Sequence, residues 1–282
     1  MNSASTTRVA LALACALAIA PAVAQQKNDE YHPQVGQSGK DVIWVPTPDE
    51  VVDRMLTMAQ VKPGDTVYDL GAGDGKIAIA AAKKFGARSY GVEYNPDMAK
   101  YAQTNAQKAG VAGKATIING DIFATDFSKA TVITMYLLPS LNIKLRPTLL
   151  QMRPGTRVVS HSFTMDDWTP DETSSISGRQ AYFWIVPANV NGKWSVELSG
   201  GSGEKVDLVI DQRFQKIEGW AQLGQVQAGL REALLRGPDI HFFYVDQAGV
   251  GRSFTGRVDG GRMEGSFRGD NGTEGRWTAS KR

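Results

Sequence analysis

The stretch that most constrains this chain runs from Val67 to Gly75 and reads V-Y-D-L-G-A-G-D-G. Two β-favouring residues lead into an aspartate, and glycines follow at 71, 73 and 75, which predicts a strand that ends in a tight turn. Good helix formers occupy positions 76–84 and a glycine follows at 86, so the turn should open into a helix. A glycine turn before a helix N-terminus exposes backbone N–H groups to a ligand.

The spacing of the glycines limits which ligand this turn can take. A dinucleotide fingerprint needs G-x-G-x-x-G, but here Lys76 follows Gly75, and no G-K-[ST] follows to make a P-loop. Glu93 closes the next predicted strand, where an acid can accept hydrogen bonds from both hydroxyls of a ribose. A nucleoside without a pyrophosphate therefore suits this turn better than NAD does.

These residues resemble the class I S-adenosylmethionine-dependent methyltransferases. The first motif of that class looks like Asp69 to Gly75, and its ribose-binding acid looks like Glu93. The resemblance implies S-adenosylmethionine as the cofactor, an acid near the adenine amino group at Asp121 and an apolar neighbour of the ring at Ile122. It also makes Thr47 a contact for the methionine end, with a helix cap as the alternative. The full set of expected cofactor-binding residues is Thr47, Asp69, Gly71, Ala72, Gly73, Gly75, Glu93, Tyr94, Asp121 and Ile122.

Further segments resemble one subgroup, the small methyltransferases related to mitochondrial protein-lysine methyltransferases. They include V-P-T-P at 45–48, Y-L-L-P at 136–139 and W-T-P at 168–170, and the resemblance covers about residues 42–170. It implies a lysine on a protein as the methyl acceptor. The chain departs from the subgroup by carrying an apparent export signal and a long C-terminal extension.

Three side chains near predicted strand ends are candidates for catalysis. Tyr136 could line a channel for an amine, Asn142 could orient the amine, and His161 could take a proton. The alternative for each is a packed aromatic or a satisfied polar group in the core. The histidines at 32, 161 and 241 are too scattered to suggest a zinc site, so no metal is expected.

The first 24 residues predict a signal peptide. An arginine at position 8 precedes an apolar run over 9–20 and an A-x-A cleavage site at 22–24. The run is shorter than the ~20 residues of a spanning helix, so an exported periplasmic or envelope-associated protein is expected, with an uncleaved anchor as the alternative and no membrane span in the mature chain. The single cysteine, Cys15, lies inside this segment, so the mature chain has no thiol.

The rest of the chain divides into a polar segment, which is either a tether or a flap over the site, and two domains. Residues 25–40 are rich in turn formers, and residues 41–188 alternate strands and helices, which predicts a doubly wound, Rossmann-like α/β sheet. Residues 189–282 carry short alternating strands separated by turns, which predicts a small antiparallel β barrel or sandwich. Apolar strands at 181–187 and 193–198 flank a turn-rich connection and predict a hairpin.

The favoured function is methyl transfer from S-adenosylmethionine to a protein amine such as lysine. Two alternatives stay open: an exported, non-catalytic binding module that retains the fold, and a methyltransferase for a small molecule, which would need a closed pocket. The formal net charge of +2 provides no basic field of the kind that non-specific nucleic-acid binding needs, so no nucleic-acid partner is expected. The sequence does not predict an oligomeric state.

Overall fold

The structure is a computed structural model that describes residue 1 and residues 31–199 and 204–282. Residues 2–24 of the predicted signal peptide and residues 25–30 of the polar segment lie outside the described residues. The chain divides into two compact units, Met1–His32 and Pro33–Arg282. The fold and the site both lie within the second unit.

Helices and strands alternate through the first part of this unit, as the sequence predicts. The helices of the described residues are α1 (Asp49–Met58), α2 (Lys76–Phe85), α3 (Pro96–Lys108) and α4 (Pro139–Leu150). The strands are β1 (Thr66–Leu70), β2 (Arg88–Glu93), β3 (Ala115–Asn119), β4 (Val132–Met135), β5 (Arg157–His161), β6 (Glu172–Ile176) and β7 (Arg179–Ile185).

These strands form one sheet in the order β3-β2-β1-β4-β5-β7-β6. Strands β1 to β5 are parallel, β7 runs antiparallel to β5, and β6 pairs antiparallel with β7. The carboxyl ends of the five parallel strands therefore share one edge of the sheet, which is where ligands bind in open α/β folds. The prediction of a doubly wound sheet is confirmed.

Helices cover both faces of this sheet. On one face, Val51, Met55 and Leu56 of α1 pack with Ala81 of α2. On the other face, α4 contributes Leu145 to a second core. These helices fix the sheet from both sides, so the loops at its carboxyl edge are held by a packed scaffold.

The predicted hairpin over 181–198 is wrong, because its two strands belong to different sheets. Phe183 in β7 pairs with Val159 in β5, whereas Trp194 pairs with Leu208 further along the chain. Side chains of β7 are buried on both faces of the sheet, as an inner strand requires. Phe183 packs into the core on one face, and Trp184 packs into the core on the other. The residues at 188–192 are typical of a hairpin connection. Burial of both faces of β7 instead favours an inner position in the first sheet, where β7 pairs with β5 and β6.

The second sheet of the described residues is antiparallel and nearly closed. Its strands are β8 (Gly192–Ser199), β9 (Lys205–Arg213), β10 (Lys216–Leu223), β11 (Val226–Gly229), β12 (Arg231–Arg236), β13 (Asp239–Val245), β14 (Gly251–Asp259), β15 (Arg262–Gly269) and β16 (Glu274–Lys281), in the order β11-β10-β9-β8-β16-β15-β14-β13-β12. The N–H of Leu230, between the two edge strands, donates to the carbonyl of Gly219 in β10. Trp194, Phe254 and Trp277 fill the interior, and the predicted barrel is confirmed.

Within the part of the chain that the structure describes, none of the helices combines the length and the apolar character needed to cross a membrane.

Candidate active site

A cavity of about 260 Å³ lies at the carboxyl edge of the parallel strands. The glycine turn after β1 lines it, and so do Glu93 at the end of β2 and Asp121 after β3. Tyr136 after β4 and Phe163 after β5 line it as well. Because the strands run in the order β3-β2-β1-β4-β5, Asp121 and Phe163 belong to opposite ends of this series. We call the end formed by Tyr136 and Phe163 the acceptor side, since the resemblance assigns the adenine to the end of Asp121.

The glycine turn has the backbone that its sequence predicts. Gly71, Gly73 and Gly75 all have positive φ angles, of 80°, 54° and 81°, a region that side chains with a Cβ rarely adopt. A Cβ on Gly73 would lie 2.5 Å from Nε1 of Trp44, and one on Gly71 would lie 2.8 Å from Cδ2 of Leu137. Gly71, Ala72 and Gly73 line the cavity, while Gly75 does not and instead faces α3.

Glu93 ties the glycine turn to the start of the next helix. Its two carboxylate oxygens accept hydrogen bonds from the backbone N–H groups of Gly73 and Asn95, each at 2.9 Å. Burial raises the pKa of Glu93 above its usual value, against these hydrogen bonds. The carboxylate therefore lies in the cavity wall with its position fixed from two sides.

Asp69 is a buried acid that faces the same cavity. Its side chain is 2% exposed, and Oδ1 accepts a hydrogen bond from the hydroxyl of Thr134 at 2.8 Å. Burial raises the pKa of Asp69 to about 7. A buried carboxylate of this kind favours a cationic ligand, because a positive charge beside it offsets the cost of its own ionisation.

Residues 36–47 form a strap that lines the cavity from outside the sheet. Backbone hydrogen bonds join Gly36 to Trp44 and Trp44 to Gln37, and so hold the strap in a closed turn. Nζ of Lys40 lies 2.5 Å from a carboxylate oxygen of Asp121 and 4.7 Å from the centre of the Tyr94 ring. Pairing raises the pKa of Lys40 and lowers that of Asp121.

The sequence predicts a tether or a flap over residues 25–40, which includes Lys40, but it does not single out Lys40 or Trp44 as residues of the site. Lys40 is 81 residues from Asp121, and no local motif marks such a pair. Tyr94 and Ile122 line the cavity, and their expected contacts with the cofactor stay predictions.

Thr47 lines the cavity but does not cap α1. The N-cap of that helix is Pro48, and no side chain caps it, so the interpretation of Thr47 as a cap is wrong. The hydroxyl of Thr47 instead lies 3.2 Å from Nδ1 of His161. This contact joins the strap to the end of β5.

The rings of Tyr136 and His161 pack against each other at a tilt of 39° beside the acceptor side. Their ring centres are 3.9 Å apart, and Phe163 stacks on Tyr136 at 6.2 Å. His161 is 1% exposed and does not line the cavity, and its Nε2 has no hydrogen-bond partner among the described residues. Burial, together with the charge of Arg179, lowers the pKa of His161 to about 4. The imidazole is therefore neutral near pH 7 and a weak base.

Asn142 is fully buried and also does not line the cavity. Its amide nitrogen donates to the hydroxyl of Ser160 and to the carbonyls of Phe163 and Thr164, each at 3.2 Å. Its Oδ1 has no partner within the described residues. In this geometry Asn142 holds the backbone of the loop after β5. Its predicted contact with an amine stays a prediction.

Comparisons with known proteins identify methyltransferases that are similar to this chain. The model of the ANTKMT methyltransferase domain matches residues 69–172. A protein-lysine N-methyltransferase of Saccharolobus islandicus is 48% identical over 151 residues, which are 51% of this chain and 94% of that protein. The adenine nucleotide translocase lysine N-methyltransferase of Mus musculus is 31% identical over 120 residues, which are 42% of this chain and 52% of that protein.

A solved structure is similar as well. The crystal structure of an RNA methyltransferase from Salinibacter ruber in complex with S-adenosyl-L-homocysteine is 52% identical, with a TM-score of 0.51, over 52% of this chain and 96% of that chain. The glycine turn, Glu93 and the buried Asp69 suit S-adenosylmethionine, the sulfonium nucleoside that such enzymes use. The chain belongs to the S-adenosylmethionine-dependent methyltransferases, in the family of the ANTKMT methyltransferase domain.

Proposed function

We propose that this enzyme methylates the side-chain amine of lysine in a protein. The observation that carries the proposal is the 48% identity to the protein-lysine N-methyltransferase of Saccharolobus islandicus, over nearly the whole of that relative. The family model matches residues 69–172, which include much of the cavity lining, from Asp69 to Phe163.

The acceptor side suits a neutral amine. A lysine has a reference pKa near 10.4, so deprotonating it at pH 7 costs about 4 to 5 kcal/mol in water. The stacked rings of Tyr136 and Phe163 and the neutral His161 behind them form a desolvating wall. Burial against such a wall disfavours the ammonium form and lowers the pKa of the entering lysine.

The residues of this chain act mainly by positioning. When bound, S-adenosylmethionine supplies an electrophilic methyl group on a sulfonium sulfur. The carboxylate of Glu93 would hold the ribose, Asp69 would face the cationic amino-acid end, and Ile122 would lie against the base. Tyr136 and Phe163 would align the amine nitrogen for in-line attack, in which the N–C bond forms as the S–C bond breaks, and this alignment provides most of the rate.

The apolar rim favours a polypeptide as the acceptor. Ile43, Val45 and Leu138 line the cavity while more than a third of each side chain stays exposed. Side chains of this kind can pack against the apolar residues that flank a lysine, whereas a phosphate backbone calls for cations. RNA is the second candidate, because the similar Salinibacter ruber protein is described as an RNA methyltransferase.

Radiolabelled S-adenosylmethionine distinguishes these acceptors. The purified enzyme is incubated with cell extract, and the label is followed on gels after treatment with protease or with ribonuclease. We expect a labelled band that protease removes and ribonuclease leaves, with methyl-lysine in its hydrolysate. The matched control is Glu93→Ala, which should give a much weaker band at a concentration of S-adenosylmethionine that does not saturate the wild type. Label that only ribonuclease removes, or label confined to small molecules, would overturn the proposal.

A further inference from the structure

The loop after β5 forms part of the acceptor side. We call residues 162–170 the acceptor loop. It begins with Ser162, whose φ angle is 64°, and continues with Phe163, which lines the cavity. Met165 and Trp168, further along the loop, are fully buried. The position of Phe163 therefore depends on what holds the remainder of this loop.

Helix α4 holds the acceptor loop from one side. Asn142 donates to the carbonyls of Phe163 and Thr164. One turn later, a guanidinium nitrogen of Arg146 donates to the carbonyl of Met165 at 2.8 Å and pairs with Asp167. These contacts lie within residues 69–172, which the family model matches.

The turn between β9 and β10 holds the acceptor loop from the other side. The ring of Phe214 stacks on Trp168, with ring centres 6.0 Å apart and planes at 21°, and lies 5.5 Å from the guanidinium carbon of Arg146. Gln215 donates to the carbonyl of Thr169 at 2.6 Å. Phe214 packs against the core of the methyltransferase sheet, although it belongs to the barrel.

An ion pair joins the two sets of contacts. Asp167 in the acceptor loop pairs with Arg146 of α4 and with Arg213 of β9, the latter at 2.8 Å. Its pKa is lowered, chiefly by the hydrogen bond from Arg213, so the carboxylate is charged near neutral pH. The backbone at Phe214 has a φ angle of 56°, which is unusual for an aromatic residue. This conformation is held by Gln212, whose side chain donates to the Phe214 carbonyl at 2.6 Å.

We propose that the β9–β10 turn of the barrel positions the acceptor loop, with Phe214 as the principal positioning residue. The barrel then contributes to the methyl-acceptor site. Phe214 contacts Trp168, and Trp168 and the loop backbone fix the position of Phe163. The matched segment of the family model ends at residue 172, so this support is an addition outside that segment. The inference rests on the proposed assignment of the acceptor side.

Full-length variants test this proposal. Phe214→Ala removes the ring from Trp168, and Phe214→Tyr restores it. Phe243→Ala is the matched control, because Phe243 is a half-buried phenylalanine on β13 of the same barrel, beside Gly251. Gln215→Ala is a milder second variant, which removes the side-chain contact to Thr169 and leaves the ring in place.

Kinetics and hydrogen exchange provide separate readouts. For Phe214→Ala we expect the apparent KM for the protein that takes the label in cell extract to rise several-fold, with the Kd for S-adenosylmethionine within about twofold of wild type and faster amide exchange across residues 163–169. Gln215→Ala should shift the same quantities less, and Phe214→Tyr and Phe243→Ala should behave as wild type.

Hydrogen exchange also separates this inference from the proposed function. If the wild type methylates no protein, the proposed function fails, while exchange in the acceptor loop still decides whether Phe214 positions it. Unchanged exchange in both Phe214→Ala and Gln215→Ala would overturn the inference. An equal loss of cofactor affinity and of acceptor affinity would overturn it as well, since that result indicates general destabilisation.

Discussion

Asp69 is the residue whose ionisation depends most on whether the cavity holds a cation. Its pKa of about 7 in the free protein reflects burial. A cationic ligand should lower that pKa, so binding of S-adenosylmethionine should release a proton wherever the free carboxyl is protonated. The affinity should therefore increase with pH by up to about tenfold per unit below pH 7, and level off above it.

Calorimetry in buffers of different ionisation enthalpy measures this proton release. We expect release of most of one proton at about pH 6 and little at about pH 8.5. Glu93 and Asp74 also have raised pKa values through burial, so Asp69→Asn should remove only part of the release. Thr134→Val, which deletes the donor that lowers the pKa of Asp69, should move the curve to higher pH. A binding heat independent of buffer would contradict the role of Asp69.

Glu93 offers a second prediction at this scale. Glu93→Ala removes the acceptor for the N–H groups of Gly73 and Asn95 as well as the expected ribose contact. Hydrogen bonds to charged groups contribute about 1.5 to 3 kcal/mol each, so we expect affinity for S-adenosylmethionine to fall by at least about tenfold in calorimetry. Glu93→Gln, which keeps one oxygen acceptor, should lose less. Equal affinity in wild type and Glu93→Ala would exclude Glu93 from the cofactor site.

The residues of the cavity differ in how far sequence can predict them. Gly71, Gly73 and Glu93 are predictable because their roles follow from local backbone geometry and the strand period. The surroundings of His161 and Asn142 are not, because each side chain is buried by contacts distant in sequence: Thr47 for His161, and the acceptor loop for Asn142. Local pattern places them at or after strand ends, but it does not predict that Asn142 lies in α4 or the direction in which either side chain points.

At the scale of elements, we expect the strap to slow the dissociation of the cofactor. Lys40 joins it to Asp121 and Tyr94 across the cavity. Both members of the ion pair are about one-third exposed, so the pair should be weak and should weaken further with salt. We expect Lys40→Met to speed dissociation of S-adenosylmethionine by up to about fivefold.

Stopped-flow dissociation across a salt series checks this prediction. Salt should accelerate dissociation from the wild type and have little effect on Lys40→Met, because the variant has already lost the pair. Lys62→Met, on the link between α1 and β1, is the control for loss of a lysine outside the cavity. A salt dependence that is the same in all three proteins would show that Lys40 does not hold the strap.

The strands of this chain are predictable where the residue pattern within the strand identifies them. They are poorly predictable where their position depends on pairing with residues distant in sequence. A short apolar run indicates β4, as expected of a central parallel strand. The turn-rich loop after β7 favours a hairpin, yet β7 pairs with β5. Sequence reasoning missed β11 and β12, because Val226 and Leu234 are exposed and break the alternation expected of a barrel wall.

At the scale of the whole molecule, the sequence predicts export. We propose that the chain is cleaved after residue 24, so a tagged protein recovered from the cell envelope or periplasm should begin at Gln25. Cell fractionation and N-terminal sequencing of the recovered protein measure this directly. A protein found in the cytosol with its first 24 residues intact would contradict the proposal, and an intact chain in the membrane fraction would favour an uncleaved anchor.

The predicted boundary at residue 188 falls between the last strand of the first sheet and the first strand of the second. The two domains nevertheless form one compact unit, and Ala188 donates from its N–H to the carbonyl of Gly237 in the barrel. That residues 41–188 and 189–282 fold as separate domains therefore stays a prediction. A chain cut at 188 would lose the Phe214 contacts with Trp168 and Arg146.

The hydrogen bond from Leu230 to Gly219 brings the edges of the nine-stranded sheet together. Exposed sheet edges present unpaired N–H and C=O groups that can recruit strands from other molecules, and near closure leaves few such groups. The edges of the barrel should therefore resist strand-to-strand aggregation in concentrated protein. Leu230→Pro removes the donated N–H, and this change should open a seam in the barrel at which self-association begins.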